Sequence, residues 1–277
     1  MEFIREQDID NAAEAIRNTI SLEPRVGMIL GSGLGPLAEA IEGVEHLAVN
    51  TIPGWPVSTV QGHSGRLVFG TLEGIPIFAL QGRAHYYEGH SIERIGLPVR
   101  VMQKLGAEIL IVTNAAGAVH PEFSPGELML ITDHINLIGM AGLSPLRGPN
   151  LDAYGPRFPD MSQPYDPELK AFARSVAEKQ EIPLQEGVYV CLAGPSFESP
   201  ADLRFLRGIG VDAVGMSTVP EVIVARHGGM RVLGVSGISN KANLDGTTIT
   251  THEEVLEAGE VIVPRLTTLV RGVLKAL

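Results

Sequence analysis

Val211-Asp212-Ala213-Val214-Gly215-Met216-Ser217-Thr218-Val219-Pro220-Glu221-Val222-Ile223-Val224-Ala225-Arg226-His227 is the stretch from which the fold can be argued. An apolar strand end, Val211 to Val214, runs into Gly215, then a serine, then a helix expected to start at Pro220. Proline suits a first helical turn because the N–H it lacks would have no partner there. Ser217 precedes that turn, where free backbone N–H groups and the positive end of the helix dipole favour an anion. Met216 beside it offers a soft apolar contact. A strand, a tight turn and a helix start of this kind belong to a layered α/β protein, with ligands beyond the carboxyl ends of the strands.

Outward from that stretch the same alternation recurs. Val26 to Leu30, Leu67 to Phe69, Ile75 to Leu80, Ile109 to Val112, Val188 to Leu192 and Val232 to Val235 read as strands. Most are almost continuously apolar, as strands covered on both faces must be. Asp8 to Leu22, Leu34 to Ile41, Ile92 to Leu105, Glu168 to Lys179, Ala201 to Arg207, Val222 to Arg226 and Glu253 to Leu277 read as helices. In the last of these, Val255, Ile262, Leu266, Leu269, Val273 and Leu277 trace a 3.6-residue stripe. The expectation is one α/β domain over residues 1–277 with a mainly parallel or mixed central sheet. Gly139 to Tyr165 breaks the rhythm: it is rich in Gly and Pro, and a loop of that length is usually functional or disordered.

Composition removes several classes of function. The 32 acidic residues outnumber the 21 basic ones, giving a formal charge of −11. Such a balance opposes sequence-independent nucleic-acid binding, which needs clustered Lys and Arg. Cys191 is the only cysteine, so no intrachain disulfide can form and a reducing compartment is expected. Met1 to Asp10 alternates charges without an apolar run, and no segment approaches the ~20 apolar residues of a membrane span. The expected location is the cytoplasm. There is no HExxH or CxxC spacing, so no metal is indicated, and no GxSxG elbow.

Five segments at strand ends carry chemistry. Gly31-Ser32-Gly33-Leu34-Gly35 follows the first strand, and its glycines and Ser32 hydroxyl suit a phosphate, although a plain strand–helix turn has the same pattern. Gln81 to Gly89 contains Arg83 and His85, which an extended chain points to one side. Arginine binds phosphate bidentately, and histidine donates or carries charge. His63 lies in a comparable turn, Gly62-His63-Ser64-Gly65. Thr113 to Ala118 is small enough for a flat ligand or a phosphate to lie on the backbone, or for close helix–sheet packing. In Ala193 to Pro200, Ser199 and Pro200 read as a helix cap, while Phe197 offers a stacking face and Glu198 an acceptor for ring N–H groups. Ser239-Asn240-Lys241 supplies an amide that suits a purine O6 and N7 edge, and equally a turn.

Together these segments resemble the trimeric purine nucleoside phosphorylases, from about Arg25 through the C-terminal helix. GSGLG at Gly31, GRAHYYEG at Gly82, TNAAG at Thr113, DHIN at Asp133, PLRGPN at Pro145, AGPSFE at Ala193, GMSTVPEVIVARH at Gly215 and SNK at Ser239 occur in the family's order. The resemblance implies a mixed sheet partly closed into a barrel and flanked by helices, assembled as a homotrimer. It implies phosphate at Ser32, Arg83, His85, the Ala115 backbone and Ser217, with His63 contacting or gating it. Ribose would meet Tyr87, Met216 and His252. The base would lie against Ala116, Gly117, Phe197, Val214 and Gly215, with Glu198 and Asn240 reading its edge. Phe158 would reach a neighbouring subunit's site. The implied reaction is reversible phosphorolysis of inosine, guanosine and their deoxy forms, for purine salvage, with inorganic phosphate as co-substrate and no cofactor. Two positions depart from the family: Ala84 stands where a bulky aromatic is common, and Ser239 where threonine is common.

Overall fold

The apolar runs are strands of one mixed sheet, and the chain visits them in an order that closes part of that sheet on itself. The structure, a computed structural model, describes residues 3–60, 63–247 and 249–277. Gly62 of the His63 turn therefore lies outside the described residues. In chain order the elements are α1 (Glu6–Arg17), β1 (Val26–Leu30), β2 (Glu42–Ala48), β3 (Arg66–Leu72), β4 (Ile75–Gln81), α2 (Ile92–Ile95), α3 (Leu97–Lys104), β5 (Ile109–Ala118), β6 (Leu128–Ile135), α4 (Leu137–Met140), α5 (Pro167–Lys179), β7 (Leu184–Cys191), α6 (Pro200–Gly208), β8 (Ala213–Gly215), α7 (Val219–His227), β9 (Arg231–Lys241) and α8 (His252–Lys275).

The strand order is β2-β3-β4-β1-β5-β8-β7-β6-β9, and β9 pairs back onto β5. Five strands thus close into a barrel, and β1, β4, β3 and β2 extend from it as an open wing. Parallel pairs (β1 with β4 and β5, β5 with β9, β6 with β7, β7 with β8) sit beside antiparallel ones (β3 with β2 and β4, β8 with β5, β6 with β9). The expected fold class, a mixed sheet partly closed and flanked by helices, is the observed one.

Burial on both faces explains the continuous apolar runs. In β1, Ile29 joins the core that contains Ile9 of α1, Val101 of α3 and Val222 of α7. Its neighbours Val26, Met28 and Leu30 join the opposite core, with Leu169 of α5 and Leu266 and Leu269 of α8. Alternate side chains of a strand face opposite sides, so a doubly covered strand must be apolar at every position. Burying each large aliphatic side chain contributes roughly 1.5–3 kcal/mol before entropy is counted.

Several boundaries differ from the sequence pattern. β5 and β9 do not stop at Val112 and Val235 but run on to Ala118 and Lys241, because Thr113 to Ala118 pairs along β9 from Val235 to Lys241. The TNAAG segment therefore lies within β5, and SNK, which could equally have been a turn, lies within β9. β2 has no buried residue, so no apolar period marks it; it is held as an edge strand on β3. β6 is buried over Leu128 to Ile131 and partly open beyond, and no single period spans it. The helix expected over Leu34 to Ile41 is a 3-10 segment, Gly35–Ala40, too short and too rich in Gly and Pro for an α-helical nucleus. The one expected over Ile92 to Leu105 is two helices meeting at Gly96, just before Pro98. The long loop is real: after α4 no helix or strand forms until Pro167, although Tyr165 is fully buried and Asn150 donates to Gly155 O at 2.9 Å.

Among the described residues no helix is long and apolar enough to cross a membrane. No group of three or more His, Cys, Asp or Glu side chains among them is placed to hold a metal ion.

Three histidines give the fold a pH signature. Burial pushes His63, His134 and His227 down from 6.5 to about 4, helped at His63 by the nearby His85 and at His227 by Arg100. The unfolded chain takes up these protons near pH 6.5 and the native one only near pH 4. Between those values the unfolded state binds more protons, so stability is full above about 6.5 and declines as pH falls towards 4. Urea midpoints measured from pH 7.5 to 4 should fall through that window, and a flat profile would contradict the burial of these rings.

Candidate active site

The tips of six strands meet at one cavity of about 320 Å³. That volume is in the range of small-molecule sites. β1 contributes Gly31 and Ser32, β4 leads to Arg83, His85 and Tyr87, β5 contributes Asn114 to Gly117, β7 leads to Pro195, Phe197 and Glu198, β8 leads through Val214 to Ser217, and β9 contributes Ser239 and Asn240. His252 and Val255 of α8 close it. Of the sequence-predicted residues, only His63 and Phe158 do not line it.

Close backbone approach shapes this meeting point at two glycines. Gly33 takes φ 74°, left-handed space that suits glycine, and there the β1 tip rests on α8 at Gly259. Gly215 lies against the Tyr189 ring, and a Cβ there would overlap the phenol oxygen. Gly215→Ala must displace a fully buried tyrosine that itself accepts from the Ser217 N–H at 3.4 Å. The expected cost is about 1–3 kcal/mol of stability with a raised phosphate KM, read by thermal melting and steady-state kinetics. An unchanged KM would show that Tyr189 does not set the position of Ser217.

One end of the cavity is rich in donors. Ser32 Oγ lies 3.1 Å from His63 Nε2, and His63 Nδ1 lies 2.7 Å from Arg83 O. With the proton on Nδ1 serving that carbonyl, Nε2 accepts from the Ser32 hydroxyl. His63 thus stands behind the wall, holding Ser32 and the Arg83 backbone. His85 Nδ1 lies 2.9 Å from Glu88 Oε1, and Glu88 also accepts from the His85 N–H at 2.7 Å. The same carboxylate accepts from Thr59 Oγ1 at 2.9 Å and from the Thr59 N–H. Burial alone would raise Glu88, but these hydrogen bonds outweigh it and hold the carboxyl at about 2. An anionic Glu88 fixes the ring so that His85 Nε2 is the nitrogen left for a ligand. Tyr87 stacks on His85 with centroids 4.8 Å apart, and burial raises its phenol to about 12.

Ser217 enters from a strained turn. Thr218 has φ 74° and ψ −55°, and the Val219 N–H donates to Ser217 O at 2.8 Å. That is a positive-φ γ-turn, a rare conformation for a β-branched residue. Its hydroxyl repays part of the strain by accepting from Arg83 Nη1 at 3.0 Å and Asn114 Nδ2 at 2.9 Å. Pro220 follows in the first turn of α7.

The opposite end reads differently. Phe197 is 46% exposed and Glu198 is half-buried; burial pushes the Glu198 carboxyl above its ordinary range. Ser199 caps α6 by accepting from the Asp202 N–H, with Pro200 in the first turn. Ser239 Oγ donates to Asn240 Oδ1 at 2.8 Å, which leaves Nδ2 as the outward donor, with only a 3.4 Å contact to Lys241 O. Serine in place of threonine therefore keeps the hydroxyl contact. Phe197, Glu198, Val214 and Asn240 also line an adjoining cavity of about 100 Å³ that none of Ser32, Arg83, His85 or Ser217 reaches. Ala84 borders a small void of about 10 Å³ with Trp55, Leu80 and Pro98.

β5 measures the separation of the two ends. Asn114 touches the donor-rich end through Thr218, while Gly117 is the register partner of both Val214 and Asn240. Three strand residues span about 10 Å, enough for a sugar carrying a bicyclic base above an oxyanion. Phe158 lies apart, 88% exposed in the long loop. Sequence reasoning missed Asn114, which lines the cavity, and Glu88, Tyr189, Thr218 and Glu221, which touch the site residues from behind. Glu88, Asn114, Thr218 and Glu221 lay inside quoted motifs, and the sign of a role was the polarity of residues expected to be buried.

The sequence profile of the Phosphorylase superfamily matches residues 25–275. Purine nucleoside phosphorylase 1 of Bacillus subtilis (strain 168) is 53% identical over 265 residues, covering 96% of this chain and 97% of that protein. Schistosoma mansoni purine nucleoside phosphorylase in complex with adenosine superposes with a TM-score of 0.95 at 39% identity, over 100% of this chain and 99% of that one. The Schistosoma mansoni enzyme in complex with inosine gives 0.94 at 38%, over 100% and 98%. The chain belongs to the phosphorylase superfamily and, within it, to the purine nucleoside phosphorylases.

Proposed function

We propose that the enzyme catalyses reversible phosphorolysis of 6-oxopurine ribo- and deoxyribonucleosides, serving purine salvage in the cytoplasm. Inosine or guanosine and inorganic phosphate give the free purine and the pentose 1-phosphate; no cofactor or metal takes part. The observation that carries this is the polarity of one cavity: a hydroxyl, guanidinium and imidazole end faces a carboxylate and amide end across about 10 Å of β5.

Phosphate sits against Ser32, Arg83, His85, Ser217 and the Ala115 backbone. His63 gates it, because phosphate must take the Ser32 hydroxyl from the imidazole. Ribose lies between Tyr87, Met216 and His252. The base lies along Ala116, Gly117, Val214 and Gly215 under Phe197. As the glycosidic bond breaks, electrons move into the purine and cationic character grows on the ribose. Asn240 Nδ2 donates to N7, where negative charge grows, while Glu198 accepts from N1–H. Phosphate stabilises the ribosyl cation and then attacks C1′. Donors aimed at developing charge lower the barrier without a covalent enzyme intermediate. The likeness to a relative solved with inosine supports the base assignment. A homotrimer, with Phe158 entering a neighbouring site, gives a use to an aromatic ring that is 88% exposed in a single chain.

Turnover tests this directly. Inosine absorbance should change only when phosphate is added, with guanosine also a substrate and adenosine and 5′-methylthioadenosine poor ones. Binding of nucleosides without phosphate-dependent turnover would make the chain a sensor built on this fold, and efficient adenosine turnover would refute the base assignment.

A further inference from the structure

The cavity-lining arginine is already committed before any anion arrives. The Arg83 guanidinium is 4% exposed; its Nη1 donates to Glu221 Oε1 at 3.1 Å and to Thr218 Oγ1 at 3.0 Å. Its Nη2 donates to Thr113 O. Only Nε lacks a partner among the described residues. Glu221 is 2% exposed in the first turn of α7, and its Oε2 also lacks a partner among the described residues.

A buried carboxylate beside the arginine of an oxyanion site is costly twice over: it must be desolvated, and it repels the anion. Its presence calls for a compensating role. A buried arginine without a counter-charge would be unstable whenever the site is empty, and a guanidinium with free rotamers would lose entropy on each binding event. Glu221 meets both needs. With Thr218 and the Thr113 and Ile29 carbonyls it occupies the four terminal N–H groups and leaves only the Nε–H, itself buried, without a partner among the described residues.

We infer, on the strength of the phosphate assignment proposed above, that Glu221 is a positioning residue that fixes the Arg83 guanidinium in the cavity wall, with the Nε–H the one donor left for the phosphate. The carboxylate touches neither substrate; it acts through the guanidinium. It therefore governs affinity for phosphate and the pentose 1-phosphate and leaves nucleoside recognition alone.

Glu221→Ala should raise KM for phosphate about tenfold or more, the usual cost of losing a hydrogen bond to a charged group. KM for inosine should stay within about twofold. Glu221→Gln keeps an acceptor oxygen for Nη1 and should recover most of the loss. Should the alanine variant fail to fold, Thr218→Val removes a second acceptor from the same Nη1 and should raise the phosphate KM in the same direction. Equal rises in both KM values would show a merely structural role and overturn the inference, as would unchanged phosphate KM in Glu221→Ala or in Thr218→Val. Arg83→Gln separates the two claims. If it leaves the phosphate KM unchanged, the phosphate assignment itself fails; if it raises that KM while Glu221→Ala does not, only the positioning inference fails.

Discussion

Asn240→Ala is expected to lower kcat for inosine phosphorolysis by about 10²–10³-fold with little change in KM. That is the usual loss when one preorganised donor to a developing negative charge is removed. Asn240 sits one residue from the end of β9, its Oδ1 receiving the Ser239 hydroxyl at 2.8 Å. That bond costs the amide no reorganisation during the reaction, so the donor is already aimed when charge reaches N7. Because the charge appears only as the bond breaks, the deletion acts on kcat and not on ground-state binding. Removing the Ser239 hydroxyl should produce a smaller loss of the same kind. If Asn240→Ala turned over inosine at the wild-type rate, N7 would have to be stabilised by another group.

The second large effect concerns which purines react. Glu198 is half-buried, and burial raises its carboxyl, so an unmatched ligand edge there is penalised. An N1–H satisfies the carboxylate; the N1 lone pair of adenosine opposes it. Sites that hydrogen-bond a substrate N–H reject analogues lacking it by about 10⁴-fold, and that ratio of kcat/KM is expected for inosine over adenosine. Glu198→Gln can turn a donor towards the lone pair and should shrink the ratio to about 10² or less. An unaltered ratio in Glu198→Gln would remove Glu198 from base recognition.

Much of the fold was legible because doubly covered strands leave an unmistakable mark. β1 begins and ends where its apolar run does, from Val26 to Leu30. The ends of β5 and β9 were not legible, since the small residues Thr113 to Ala118 carry no apolar run and Ser239 to Lys241 suits a turn until the barrel pairs the two strands. β2 was invisible for the opposite reason, an edge strand with nothing to bury. In the site, Ser32, Arg83, His85 and Ser217 could be found because they follow strands and carry recognisable chemistry. Thr218, Glu221 and Asn114 could not, because their role is to hold Arg83 and one another in contacts spanning more than 100 residues of sequence. Glu88 is an intermediate case: it lies three residues from His85, yet its ties to Thr59 need the fold.

A crystal structure of the enzyme with inorganic phosphate and hypoxanthine bound together would test the central claim most directly. The prediction is phosphate within hydrogen-bond reach of Ser32, Arg83 Nε, His85 and Ser217, with hypoxanthine N7 on Asn240 and N1 on Glu198. Phosphate lodged away from Arg83 and Ser217, or a base whose N7 and N1 turned from Asn240 and Glu198, would contradict it.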